Sequence, residues 1–123
     1  MPYPTESIVY SVELEGQDDF DLTAYIVEDT DCDAEQRYDR QEFADLIRAW
    51  KNDEFQFVGV VVEASREGVT LGDASIWGSE YGDIEGKHVQ PIGDDGSDNI
   101  GYLPGLIKDA IAAAYEKLSQ ISR

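Results

Sequence analysis

Carboxylates apart, few side chains in this sequence are of catalytic types, and none of those few stands at a spacing that chemistry requires. Ser75 sits in Asp73-Ala-Ser-Ile-Trp77, inside a strand-like run and without the leading glycine of a nucleophile elbow. The one histidine, His88, falls in a polar segment and reads as a solvated loop residue more readily than as a general base. Cys32 lies between Asp31 and Asp33, whose negative charges oppose a nucleophilic thiolate. No glycine-rich turn leads into a helix with a following lysine, so phosphate cradling is not expected.

Carboxylates are the abundant reactive group. Asp31, Asp33 and Glu35, with Glu42 at the twelfth position, partly match the oxygen spacing of a calcium loop, but Gln36 stands where that loop needs glycine. Asp94, Asp95 and Asp98 form a second acidic loop of a kind able to hold a hard cation. Paired carboxylates of glycosidase type carry little information in a chain this acidic. Neither loop pattern is specific, and the sequence implies no metal or cofactor. A non-enzymatic protein is the expectation.

What remains is charge. Nine Lys and Arg against 27 Asp and Glu give a net charge of −18 over 123 residues. Residues 1–40 alone carry 12 acids and 2 bases, whereas residues 102–123 carry 2 and 3. Such a field repels nucleic acid and anionic membranes and attracts basic protein surfaces. Glu13, Glu15, Asp18, Asp19 and Asp21 surround one turn, and Glu28, Asp29, Asp31, Asp33 and Glu35 follow the next strand-like run. Alternate strand residues are about 7 Å apart on one face, near the spacing of successive phosphates, so a carboxylate row can imitate a nucleic acid backbone. Two bland readings compete: charge that serves solubility, and an acid-biased or salt-adapted proteome.

The elements that position these residues follow from periodicity. Ile8, Tyr10, Val12 and Leu14 alternate with polar neighbours, a turn falls at residues 16–19, and Phe20, Leu22, Ala24 and Ile26 alternate again, predicting a hairpin. Residues 28–38 read as an acidic connector. Asp39 with Glu42 has the spacing of a capping box, and Phe43, Leu46, Ile47 and Trp50 predict a helix over about 40–51. A second hairpin over residues 55–78 is apolar on both faces of its first strand, as an interior strand is. Within it Gly72 implies a bulge or a close backbone approach. Residues 79–102 lack periodicity and read as a long Gly/Asp-rich loop. Leu103, Ile107, Ala110, Ile111, Ala114, Leu118 and Ile121 form the stripe of a final helix, with Pro104 tolerated in its first turn.

The expected fold is one α+β domain of order ββαββα over residues 1–123, a four-stranded, mainly antiparallel sheet with two helices covering one face. The N-terminal Met-Pro-Tyr-Pro-Thr-Glu has no signal-peptide character, no run is long enough to span a membrane, and a single cysteine suits a reducing cytoplasm. The final helix carries almost no net charge and is compatible with pairing to a second copy as a homodimer.

The run Phe57-Val-Gly-Val-Val-Val-Glu-Ala-Ser-Arg-Glu-Gly-Val-Thr-Leu-Gly-Asp-Ala-Ser-Ile-Trp-Gly78, about a fifth of the chain, resembles a hairpin of small uncharacterised acidic proteins from actinobacteria and their phages. The resemblance implies a phage-type accessory protein, working in the host cytoplasm, and transfers no functional residue. Joined to the charge, it leads to protein–protein contact with a basic host protein, of which the sharpest form is a DNA-mimic-like inhibitor of a nucleic-acid-binding protein. The alternative is a small-molecule or Ca²⁺-binding domain built on the 79–102 loop, with Trp77, Tyr81, Asp94, Asp95 and Asp98 as recognition residues.

Overall fold

Alternating apolar residues build a five-stranded antiparallel meander in which β1 (Ile8–Gln17), β2 (Phe20–Glu28), β3 (Phe55–Arg66), β4 (Val69–Ile84) and β5 (Lys87–Val89) lie side by side in chain order. The computed structural model describes residues 3–121. Three of the four connections are two-residue turns: Asp18-Asp19, Glu67-Gly68 and Glu85-Gly86 all have positive φ at both positions. That geometry matches the right-handed twist of the flanking strands. Arg66 holds the first turn from the neighbouring strand: Nε donates to the Asp19 carbonyl at 3.3 Å and Nη2 to the Asp18 carbonyl at 3.2 Å. Its guanidinium lies 4.3 Å from the centre of the Phe20 ring.

The remaining connection, between β2 and β3, carries α1 (Ala34–Arg37) and α2 (Ala44–Lys51), and the chain ends in α3 (Leu103–Ile121). Because side chains alternate across a strand, β2 and β3 each serve two faces. Leu22, Ala24, Ile26, Val58, Val60, Val62 and Ala64 point to α3 and form the main core with Leu103, Leu106, Ala110, Ile111 and Ala114. Phe55 and Phe57 point the other way, into a smaller cluster with Ala34 of α1 and Ile47 of α2.

Gly72 explains how closely α3 sits. A Cβ there would collide with the Ala110 carbonyl and the Ala114 amide, so helix backbone rests directly on strand backbone. The β3–β4 register also shifts beside it, from Ala64↔Gly72 to Ser65↔Thr70. Both features expected of an interrupting glycine are present.

The architecture corrects the expectation in four places, and the order of strands and α-helices is ββααβββα rather than ββαββα. The sheet has five strands, not four: β4 runs on to Ile84 and returns as β5, so residues 79–102 are not one loop. Residues 79–82 are polar and glycine-rich, but they pair with Phe55–Val58 of β3, and that ladder makes them strand. The helices do not share a face, since the odd-numbered Phe55 and Phe57 carry α1 and α2 to the side opposite α3. Finally, the helix expected from about residue 40 begins at Ala44. Asp39 Oδ1 does accept from the Gln41 and Glu42 amides, at 2.8 and 3.1 Å, yet it caps an isolated turn closed by Phe43 N donating to the Asp39 carbonyl. The acidic connector likewise holds α1, a single turn capped by Asp33, whose Oδ1 accepts from the Glu35 amide at 2.8 Å.

Candidate functional site

The sheet face away from α3 changes character along its length. At one end α1 and α2 cover Phe55 and Phe57. Next come Gly59 and Trp77, then a row of Ser11, Tyr25, Val61 and Ser75. Beyond it Glu13 pairs with Thr23, Thr23 with Glu63, and Glu63 with Asp73, so one cross-strand row contains three carboxylates. Asp21 and Ser65 pair one step further on, toward the turn of Asp18 and Asp19. Ser11, Glu13, Asp21, Asp73 and Ser75 are all exposed.

Like charges directly opposite on adjacent strands repel, and Glu63 with Asp73 is such a pair. Glu63 is only 7 % exposed, and Thr70 Oγ1 donates to its Oε1 at 2.9 Å. The phenol of Tyr25 is pushed above its ordinary pKa, by burial first and by the Glu63 carboxylate second. The row spans three strand spacings, about 14 Å at ~4.8 Å each.

The ten acids expected to bind a partner are thus divided. Glu13, Glu15, Asp18, Asp19 and Asp21 lie on the exposed side or tip of the first hairpin. Tyr115 Oη donates to Asp18 Oδ2 at 3.3 Å, and burial chiefly raises the Tyr115 pKa. Glu28 stands at the other end of β2, about 23 Å from Asp21 at ~3.3 Å per residue. Several of the acids that follow it are engaged within the fold. Asp29 Oδ2 accepts from the Gly78 amide at 2.9 Å and Oδ1 from the Asp31 amide at 3.3 Å. Asp33 caps α1. Glu35 takes ion pairs from Lys51 and Arg40, and the Lys51 ammonium chiefly holds its carboxyl below the usual range. Asp31 is exposed. The structure does not bring the two groups together.

The loop residues are scattered as well. Trp77 and Tyr81 occupy opposite faces of β4: Tyr81 packs into the main core, its ring 5.5 Å from that of Tyr10, whereas Trp77 is 42 % exposed on the far side. Asp95 accepts from the Ser97 amide at 3.0 Å and from the Ser97 hydroxyl, which lowers its pKa. Asp98 accepts from the amides of Ile100, Gly101 and Leu103 and so ties the loop to the start of α3. Asp94 Oδ1 accepts from Gln90 Nε2 at 3.5 Å. Among the described residues no group of three or more His, Cys, Asp or Glu is placed to hold a metal ion. His88, on β5, contacts Asp83 and Gln90.

Sequence reasoning missed two features. Asp73 joins the acidic row only through the pairing of β3 with β4, and the alternation of Glu63 and Asp73 in adjacent strands was the available signal. Arg37 was also passed over. It lies 5.2 Å from the Phe57 ring centre and donates to the Gly78 carbonyl at 2.6 Å and to Cys32 Sγ at 3.5 Å. Among the described residues no helix is long and apolar enough to cross a membrane. No family model, curated protein or solved structure matches this chain.

Proposed function

We propose that this protein acts without catalysis, by presenting the uncovered face of its sheet to a basic protein surface. The observation that carries the reading is the Glu13–Thr23–Glu63–Asp73 row, continued by Asp21 and the turn acids and left uncovered by any helix. Carboxylates opposed across a ladder cost folding stability; Glu63 is buried within the row, and the exposed Glu13 and Asp73 on either side of it attract cations at that spot. Of the ten acids read from the sequence, Glu13, Glu15, Asp18, Asp19 and Asp21 carry this role, with Asp73 added. A rigid strand scaffold fixes their spacing, as imitation of a phosphate backbone in a basic groove would need. A phage-type accessory role inhibiting a nucleic-acid-binding host protein fits that chemistry.

The test is retention of proteins from a bacterial lysate on the immobilised protein and on a Glu13→Gln, Glu15→Gln, Asp21→Asn, Asp73→Asn variant. A basic protein held stoichiometrically by the first and released by rising salt, but not held by the second, is the expected result. The salt dependence is steep because the Debye length falls from about 10 Å at 0.1 M to about 3 Å at 1 M. Equal retention by both proteins, or binding indifferent to salt, refutes the reading.

A further inference from the structure

The Trp77 end of the same face holds a cleft of about 500 Å³, lined among others by Tyr3, Val27, Glu28, Asp29, Asp31 and Trp77. Its aromatic wall is built rather than incidental. The register of β3 with β4 moves from Val58↔Ser79 to Val60↔Ile76, so Trp77 and Gly78 together oppose Gly59. Such a bulge re-aims a side chain, and here it lays the indole over Gly59, where a Cβ would collide with the six-membered ring. Gly78 takes the required φ of +80°. Its amide is held by Asp29 and its carbonyl by Arg37. Trp77 Nε1 donates to Ser75 Oγ at 3.1 Å, and the Tyr3 ring meets the indole at 5.8 Å with an interplanar angle of 60°.

A glycine inside a central strand weakens it, and the tryptophan fixed over that glycine still leaves 42 % of its surface exposed to the cleft side of the sheet. The indole face, the Tyr3 ring and the carboxylates of Glu28 and Asp31 make an aromatic and anionic setting suited to an organic cation. Arg37 stands nearby, but the carboxylates of Glu28, Asp29 and Asp31 outnumber it. A planar guanidinium stacks flat on indole while its fork of N–H donors pairs bidentately with a carboxylate, a geometry that the compact ammonium does not match.

We propose that this cleft receives an arginine side chain of the partner, anchoring the contact at the opposite end of the face from the Glu13–Asp73 row. The proposal rests on the docking reading above, and its failure can be told apart from failure of that reading. The probe is the blocked tripeptide acetyl-Gly-Arg-Gly-amide, titrated into ¹⁵N-labelled protein while the Trp77 indole N–H resonance is followed. Its neutral isostere has citrulline in place of arginine.

A saturable shift with the arginine peptide, absent with citrulline, is expected. The apparent Kd should weaken by roughly five- to tenfold in Gly59→Ala, which dislodges the indole while leaving every charge in place, and likewise in Glu28→Gln/Asp31→Asn. Each variant should keep the dispersed amide spectrum of the parent. Equal response to the two peptides, or affinity unchanged in both variants, overturns the proposal. So does saturation by tetramethylammonium at a tenfold lower concentration than the peptide, which would assign the cleft to a small free cation. A basic protein retained in salt-dependent fashion with equal affinity by the parent and Gly59→Ala leaves the acidic face standing and overturns the cleft alone.

Discussion

On the side of β3 that meets α3, Val58, Val60, Val62 and Ala64 are all buried among apolar neighbours. On the other side, Phe57, Gly59, Val61 and Glu63 pass in four alternate positions from aromatic packing, through a glycine under an exposed indole, to a carboxylate opposite a carboxylate. The backbone and its hydrogen-bond ladder are shared, so the contrast comes from what each side must contact. The first face has a helix to bury and obeys one rule throughout. The second is covered by α1 and α2 only over Phe55 and Phe57; beyond them Val61 is still buried, but Gly59 and the Glu63–Asp73 pair break strand preferences in ways that cost stability. Local conflicts of that kind collect where a protein is built for something other than folding.

Breaking the packed face should give the largest effect. Ile26, fully buried between β1, β3 and α3, leaves a cavity when shortened. Ile26→Ala is expected to lower unfolding stability by about 2–5 kcal/mol, read as a reduced urea midpoint with partner affinity unchanged in the fraction that folds. Next is Gly72→Val, which forces side-chain atoms against the backbone of α3. Overpacking of this kind costs about 1–3 kcal/mol, and hydrogen exchange should speed up in α3 more than in β1 and β2. A fall in stability spread evenly over the molecule would show that α3 does not dock as closely as the Gly72 contact implies.

Tyr10 refines the comparison from the edge of the packed face. Its hydroxyl donates to the Ile92 carbonyl at 2.8 Å and fastens the loop after β5 to β1. Burial is the main cause that pushes its pKa up to about 12 from the ordinary 10. The folded state therefore holds the phenolic proton more tightly than the unfolded chain. The associated stability is complete below pH 10 and is lost as pH rises toward 12. Tyr10→Phe should cost about 1 kcal/mol at neutral pH and flatten the fall in stability over that alkaline window. An identical alkaline profile in the variant would assign the fall to other tyrosines.

How much of this was legible depended on which face set the pattern. The alternation of Leu22, Ala24 and Ile26, and the stripe from Leu103 to Leu118, exist because α3 and the sheet bury one another, so period alone located β2 and α3; Ile121, the last residue of the expected stripe, is exposed. Residues 79–84 are strand for a different reason: 79–82 pair with the Phe55–Val58 run and 83–84 with β5, and pairing leaves no mark in a polar segment punctuated by glycine. α1 is one turn, too short for any periodicity, and its Asp33 cap resembles the other acids around it. The acidic site was legible as charge but not as geometry. Glu13 and Asp73 lie 60 positions apart and share a row only through two intervening strands. In the opposite sense, Asp29, Asp33 and Glu35 look the same as Glu13 and Asp21 in sequence, yet their oxygens hold a bulge, a cap and two cations.

The smallest predicted effect is the one that separates the faces most sharply, because its sign reverses. Asp73→Thr removes the exposed one of two directly opposed carboxylates and supplies a β-branched side chain suited to a strand. Relief of the like-charge pair with Glu63 is worth about 0.2–1 kcal/mol, so the variant should be more stable than the parent while binding the proposed basic partner less tightly. Raising the salt concentration should narrow the stability difference, since screening weakens the repulsion that the substitution removes. Every substitution considered on the packed face moves stability downward. A gain here, with a loss of binding, is the outcome expected of a surface kept acidic against the interest of the fold. Lower stability in Asp73→Thr would mean that Asp73 supports the ladder, and the acidic row would then be structure rather than a docking face.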